Sequence, residues 1–160
     1  GLYLSDVLET LTPNRKKVAY AAIELYKRLK EGQIERPALL DSNNVYKVMY
    51  PVLCDISTEE MWVLLLNSSS KLIRKVRISC GGLNTALVDV RVAMRQALYY
   101  NAVSFIMVHN HPSGARKPSS ADDRLTEAMK KAAETLDIRL VDHVIVAGNN
   151  YYSYADEGKL

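Results

Sequence analysis

The chain has 160 residues, 48% of them apolar and 24% charged, and a net charge of +3. That length suits a single domain with its own core, and the composition is that of a globular protein rather than a disordered or fibrous one. No apolar run approaches the roughly 18 residues of a membrane span, no signal peptide opens the chain, and so mild a charge permits an acidic partner without demanding one.

Thr12 and Pro13 read as the N-cap and first position of a helix, along which Val18, Ala21, Ala22, Leu25 and Leu29 recur at helical spacing until Gly32. Its basic residues, Arg15 to Lys17, Lys27, Arg28 and Lys30, read as a solvated face. Residues 33–41 look like a linker. A second helix is expected from Asn43 to Leu53, capped by Ser42 and with a weak apolar face. Met61 to Asn67 is a continuous apolar run, as in a strand buried on both faces. Three serines then turn the chain, and Lys71 to Ser79 returns as a more polar hairpin partner until Gly81-Gly82 breaks it. Asp89 is placed to cap a helix with Val90, Ala93, Met94, Ala97 and Leu98 on one face. Val103 to His111 reads as a buried strand, and Leu125, Met129, Ala132 and Leu136 mark another amphipathic helix. Ile138 to Gly148 and Asn149 to Ala155 close as strands. This order predicts an α/β fold, a mixed sheet with helices packed on it. Cys54 and Cys80, the only cysteines, lack C-x-x-C spacing. They indicate no disulfide framework and no cysteine zinc site, only reduced thiols in a cytoplasmic protein.

Chemistry concentrates in "VHNHPSG", Val108 to Gly114. Strand alternation puts Val103, Phe105, Met107, His109 and His111 on one side, so two imidazoles share a face where an apolar strand gives way to a loop. Alone, such a pair is as compatible with two satisfied histidines as with a metal. The next helix adds a carboxylate. Its apolar stripe, projected back from Leu136 through Ala132, Met129 and Leu125, lands on Asp122, while Asp123 falls on the polar face with Thr126, Glu127 and Lys130. A carboxylate aimed at a core needs a partner. Ser119-x-x-Asp122 also resembles a capping box, and both roles are compatible. Two imidazoles, one carboxylate and an open fourth position form a common catalytic zinc set, and zinc hydrolysis further needs a general base. Glu59 and Glu60 both lie just before the apolar strand.

His109-x-His111, then Ser119-x-x-Asp122, with an acidic residue far upstream, resembles the JAMM signature of the MPN/JAB zinc metalloproteases. The "HNHPSG" box and the ending "DHVIVAG...YYSYADEG" narrow the resemblance to RadC-type proteins, from about Val45 to the C-terminus. It implies a three-layer, cytidine-deaminase-like fold over residues 41–160. Residues 1–40 would be an N-terminal helix and linker, the tail of a helix-hairpin-helix region. It also implies zinc held by His109, His111 and Asp122, with Glu60 as general base and Ser119 contacting the water or the developing oxyanion. The expected activity is hydrolysis of a peptide or isopeptide bond.

The competing expectation is an accessory module of DNA metabolism on the same fold, with Lys71, Arg74, Lys75 and Arg77 meeting phosphate; at +3 overall its electrostatic footprint is weak. An HNH nuclease takes its residues from separated positions, and Asn110 alternates away from both histidines. A nucleobase deaminase needs H-x-E and P-C-x-x-C, which are missing. His143, in an apolar strand, reads as a satisfied core histidine, with support of the metal site as the alternative. Tyr99, Tyr100, Tyr151, Tyr152 and Tyr154 read as packing residues.

Overall fold

The computed structural model describes residues 4–33, 36–80 and 88–160, which fall into two units divided after residue 35. The expected break at Gly81-Gly82 lies outside the described residues. In the first unit a short helix that the sequence reading lacked, α1 (Leu4–Glu9), precedes α2 (Pro13–Gln33). Lys16 Nζ meets Glu9 Oε2 at 2.9 Å, joining the two helices. Val18 and Leu25 on α2 are 71% and 59% exposed, so the apolar stripe read there is not a buried face. No described helix is long and apolar enough to cross a membrane.

The second unit begins with α3 (Ser42–Leu53). Its N-cap is Asp41, whose carboxylate accepts from Asn44 N at 2.6 Å. The cap is therefore one residue earlier than expected, and Ser42 is instead buried, donating to Asp156 Oδ2 at 2.6 Å. Then come β1 (Glu60–Leu66), β2 (Leu72–Cys80), α4 (Val90–Tyr99), β3 (Ser104–Asn110), α5 (Ser120–Thr135), β4 (Arg139–Ala147) and β5 (Asn150–Ser153). The strands form one sheet in the order β2-β1-β3-β4-β5. Among the described neighbouring strands only β3 and β4 pair in parallel, joined by the α5 crossover.

Alternation along the central strands supplies both faces of the core. Leu64, Leu66, Ile106, Val108, Val144 and Val146 pack under α3, which buries Val45, Met49 and Leu53 at spacings of four. Its apolar face is narrow but complete. On the other face Met61, Val63, Leu65, Phe105 and Met107 pack against Ala93, Met94 and Ala97 of α4 and Leu125, Met129 and Ala133 of α5. The result is a mixed α/β fold with helices on both faces of a five-stranded sheet, as expected for the JAB/MPN fold. At the ends of the helical stripes burial fades: Leu98 and Leu136 are exposed, and Ala133 takes the inner position read for Ala132.

Candidate metal centre

β3 is buried along its whole length and ends at Asn110, beside the N-terminus of α5. His109 pairs with Met61 of β1, on the α4/α5 face. His111 lies just past the strand, where its N–H donates to Val146 O at 2.8 Å. The turn that follows needs Gly114, whose φ of +75° belongs to the left-handed region. It returns Ala115 O to within 2.5 Å of His111 Nδ1. A carbonyl only accepts, so Nδ1 of His111 carries a proton, and in the neutral ring Nε2 is the lone pair.

Asp122 is the third residue of α5 and 1% exposed. Its Oδ2 accepts from Ser119 N and Ser119 Oγ, each at 2.7 Å, while Ser119 Oγ accepts from Asp122 N at 3.2 Å. The capping box read from the sequence is formed. Oδ1 is different. It is buried and makes no hydrogen bond, although His109 Nε2 lies 3.3 Å away. His109 Nε2 and His111 Nε2 are 3.0 Å apart, and His111 Nε2 is 3.5 Å from Asp122 Oδ2. One ligand atom from each residue falls within 4.8 Å of the others. Donors about 2.0–2.2 Å from a shared ion in tetrahedral geometry stand about 3.4 Å apart, so the cluster has the dimensions of a three-ligand site. A buried carboxylate with one orphaned oxygen, set between two imidazoles, fits a divalent cation.

Burial pushes the Asp122 carboxyl up, but the two imidazoles and the Ser119 hydroxyl outweigh it and hold the carboxyl well below the usual range. His111 is raised, chiefly by Asp122 and more weakly by Glu59.

Glu60 is not part of this cluster, which corrects the sequence reading. It precedes Met61, the partner of His109, so its side chain takes the opposite face of the sheet. There it accepts from Trp62 Nε1 at 2.9 Å and from Arg77 at 2.8 Å, with Cys80 Sγ at 3.4 Å. Burial opposes its charge, yet these partners hold its carboxyl below the ordinary value. Parity places Glu60 with Trp62, on the α3 side of the sheet. Glu59 has the other parity, is half-buried, and adds negative charge at His111. The segment carrying it is pinned by Asn110, whose side chain accepts from Glu60 N at 2.8 Å and donates to Thr58 O at 2.9 Å.

A family model described as a RadC-like JAB domain matches residues 39–159. The chain belongs to this family. UPF0758 proteins of Porphyromonas gingivalis, Flavobacterium johnsoniae and Streptococcus gordonii are 41%, 40% and 38% identical to it over 159, 139 and 141 residues. Those matches cover 98%, 86% and 88% of the chain. They span 70%, 61% and 62% of the relatives' own lengths.

In this RadC-like JAB domain one residue at the site escaped the sequence reading. Thr126 was assigned to the polar face of α5. It is buried, because its hydroxyl donates to Asp122 O at 2.7 Å and lies 2.6 Å from His143 Nδ1. His143 is fully buried behind the cluster, with its Nε2 2.8 Å from His109 Nδ1. Support of the metal site was the alternative read for this histidine from its place in an apolar strand. Asp123 is exposed as read, and accepts from Tyr154 Oη and Lys159 Nζ. The basic residues of the β2 hairpin are partly committed elsewhere: Arg77 pairs with Glu60, and the Arg74 guanidinium lies 5.4 Å from the Tyr100 ring centre. Cys54 and Cys80 are free and exposed.

Proposed function

We propose that this domain is a zinc-dependent hydrolase of the JAMM type that cleaves peptide or isopeptide bonds, with His109, His111 and Asp122 as the metal ligands. The observation that carries the reading is the buried Asp122 carboxylate, whose hydrogen-bond-free Oδ1 lies 3.3 Å from His109 Nε2 and whose Oδ2 lies 3.5 Å from His111 Nε2. Two nitrogens and one carboxylate suit zinc and leave a fourth position for water or substrate. Zinc bound there supplies Lewis acidity and brings the pKa of a water towards ~7.

The remaining work falls to the chain. Glu59, on the cluster side of the strand entrance, accepts the proton of the attacking water and returns it to the departing amine. Ser119 Oγ–H serves the developing oxyanion by turning from Asp122 Oδ2, and Ser119 N keeps that oxygen partnered meanwhile. Glu60, tied to Arg77 and Trp62, holds the β1–β2 pair.

Zinc-loaded wild type assayed on internally quenched peptide and isopeptide substrates tests this. Turnover should appear and be abolished in Asp122→Ala; equal rates in both would remove the reaction from this site. A DNA-metabolism role on the same fold would instead show as duplex binding with a steep salt slope.

A further inference from the structure

Behind His109 runs a buried chain of three hydrogen bonds. His109 Nδ1 lies 2.8 Å from His143 Nε2, His143 Nδ1 lies 2.6 Å from Thr126 Oγ1, and Thr126 Oγ1 lies 2.7 Å from Asp122 O. Each group is nearly or wholly inaccessible to solvent. The imidazole of His143 is sandwiched further by Tyr154, stacked at 4.9 Å and 11°.

Donor counting fixes the direction of this chain. The Asp122 carbonyl only accepts, so its contact with Thr126 is a hydrogen bond only if the hydroxyl donates to it. A hydroxyl has one proton. Thr126 must then accept from His143, which places the His143 proton on Nδ1. With no carboxylate bonded to its ring and no solvent access, His143 is a neutral imidazole. Its Nε2 is therefore an acceptor, and His109 must donate to it from Nδ1. The reverse direction would leave two oxygens 2.7 Å apart with no proton between them.

We infer that His143 and Thr126 are positioning residues that hold the His109 proton on Nδ1 and so present its Nε2 lone pair to the cluster. His111 is set differently, by the carbonyl of Ala115, which allows one tautomer only. His143 can donate or accept, so the orientation of His109 depends on Thr126, two hydrogen bonds away. That Nε2 is a metal ligand rests on the function proposed above; the tautomer itself does not. Anchoring the chain on Asp122 O also couples the backbone of one proposed ligand to the ring of another.

The test pairs zinc affinity with ring nitrogen NMR. Thr126→Val keeps the shape but removes the acceptor for His143 Nδ1–H, which frees His143 to place its proton on Nε2 and drive that of His109 into the cluster. Zinc affinity, measured against a competing chelator, should fall about 10–100-fold, as for other groups that orient metal-binding imidazoles. Thr126→Ser should restore it to within a few-fold, with circular dichroism reporting that all variants are folded. Nitrogen-15 spectra of wild type should show the His109 proton on Nδ1 with and without zinc. Equal affinity in Thr126→Val and wild type, or a His109 proton on Nε2, would overturn the inference. A wild type that binds no zinc yet keeps the Nδ1 proton would sink the metal reading and leave the tautomer standing.

Discussion

At the scale of single residues the proposed chemistry turns on adjacent glutamates with opposite fates. Glu59→Gln is nearly isosteric but cannot take up a proton, so zinc should stay bound while turnover falls by a factor on the order of 10²–10⁴. Glu60→Gln should leave zinc and turnover nearly unchanged. It weakens the bonds to Arg77 and Trp62 and should cost about 1 kcal/mol in a denaturant titration. Turnover lost with Glu60→Gln and kept with Glu59→Gln would reverse the assignment. Ser119→Ala removes the N-cap of α5 and should lower stability by about 1 kcal/mol with zinc retained. A fall in turnover larger than that destabilisation explains would mark the oxyanion contact; an equal one would leave only the cap. The pattern of His109, His111 and Asp122 was legible because strand alternation and the helical period both point inward. The choice between Glu59 and Glu60 was not, because parity separates the two without saying which face holds the histidines. Only the pairing of Met61 with His109 decides that.

Among the elements, β1 and β3 do most to place the site, and Asn110 joins them. It alternates away from the histidines, as its position indicates, and uses that freedom to tie Thr58 and Glu60 to the end of β3. Asn110→Ala should cost about 1–3 kcal/mol through unsatisfied buried backbone groups. By loosening the segment that carries Glu59 it should lower turnover more than zinc affinity. Zinc affinity falling in step with turnover would argue against that division. Strands and helices of the second unit were readable to within a few residues because their apolar periods are long and uninterrupted. The exceptions are local. Asp41 outcompetes Ser42 as the cap of α3 because Ser42 is drawn to Asp156, 114 residues along the chain, a contact no periodicity reports. Thr126, four residues from Asp122, lies on the same inner face of α5 as Leu125, Met129 and Ala133, where His143 and Asp122 O satisfy its hydroxyl.

For the molecule as a whole, the parallel β3–α5–β4 crossover brings the end of one strand to the start of the helix that follows, the usual place for a site in α/β proteins. Every residue of the proposed centre lies in the second unit. A fragment of residues 36–160 should therefore melt cooperatively and bind zinc with the stoichiometry of the whole chain; loss of either would tie the centre to the first unit. The proposed chemistry depends on a metal held between His109, His111 and Asp122. Elemental analysis of protein purified without chelator tests it most directly. Wild type should carry close to one zinc per chain, and both His111→Ala and Asp122→Ala should lose it with the fold intact. Full zinc retained in those variants, or wild type that takes up none on equilibration with zinc, would contradict it.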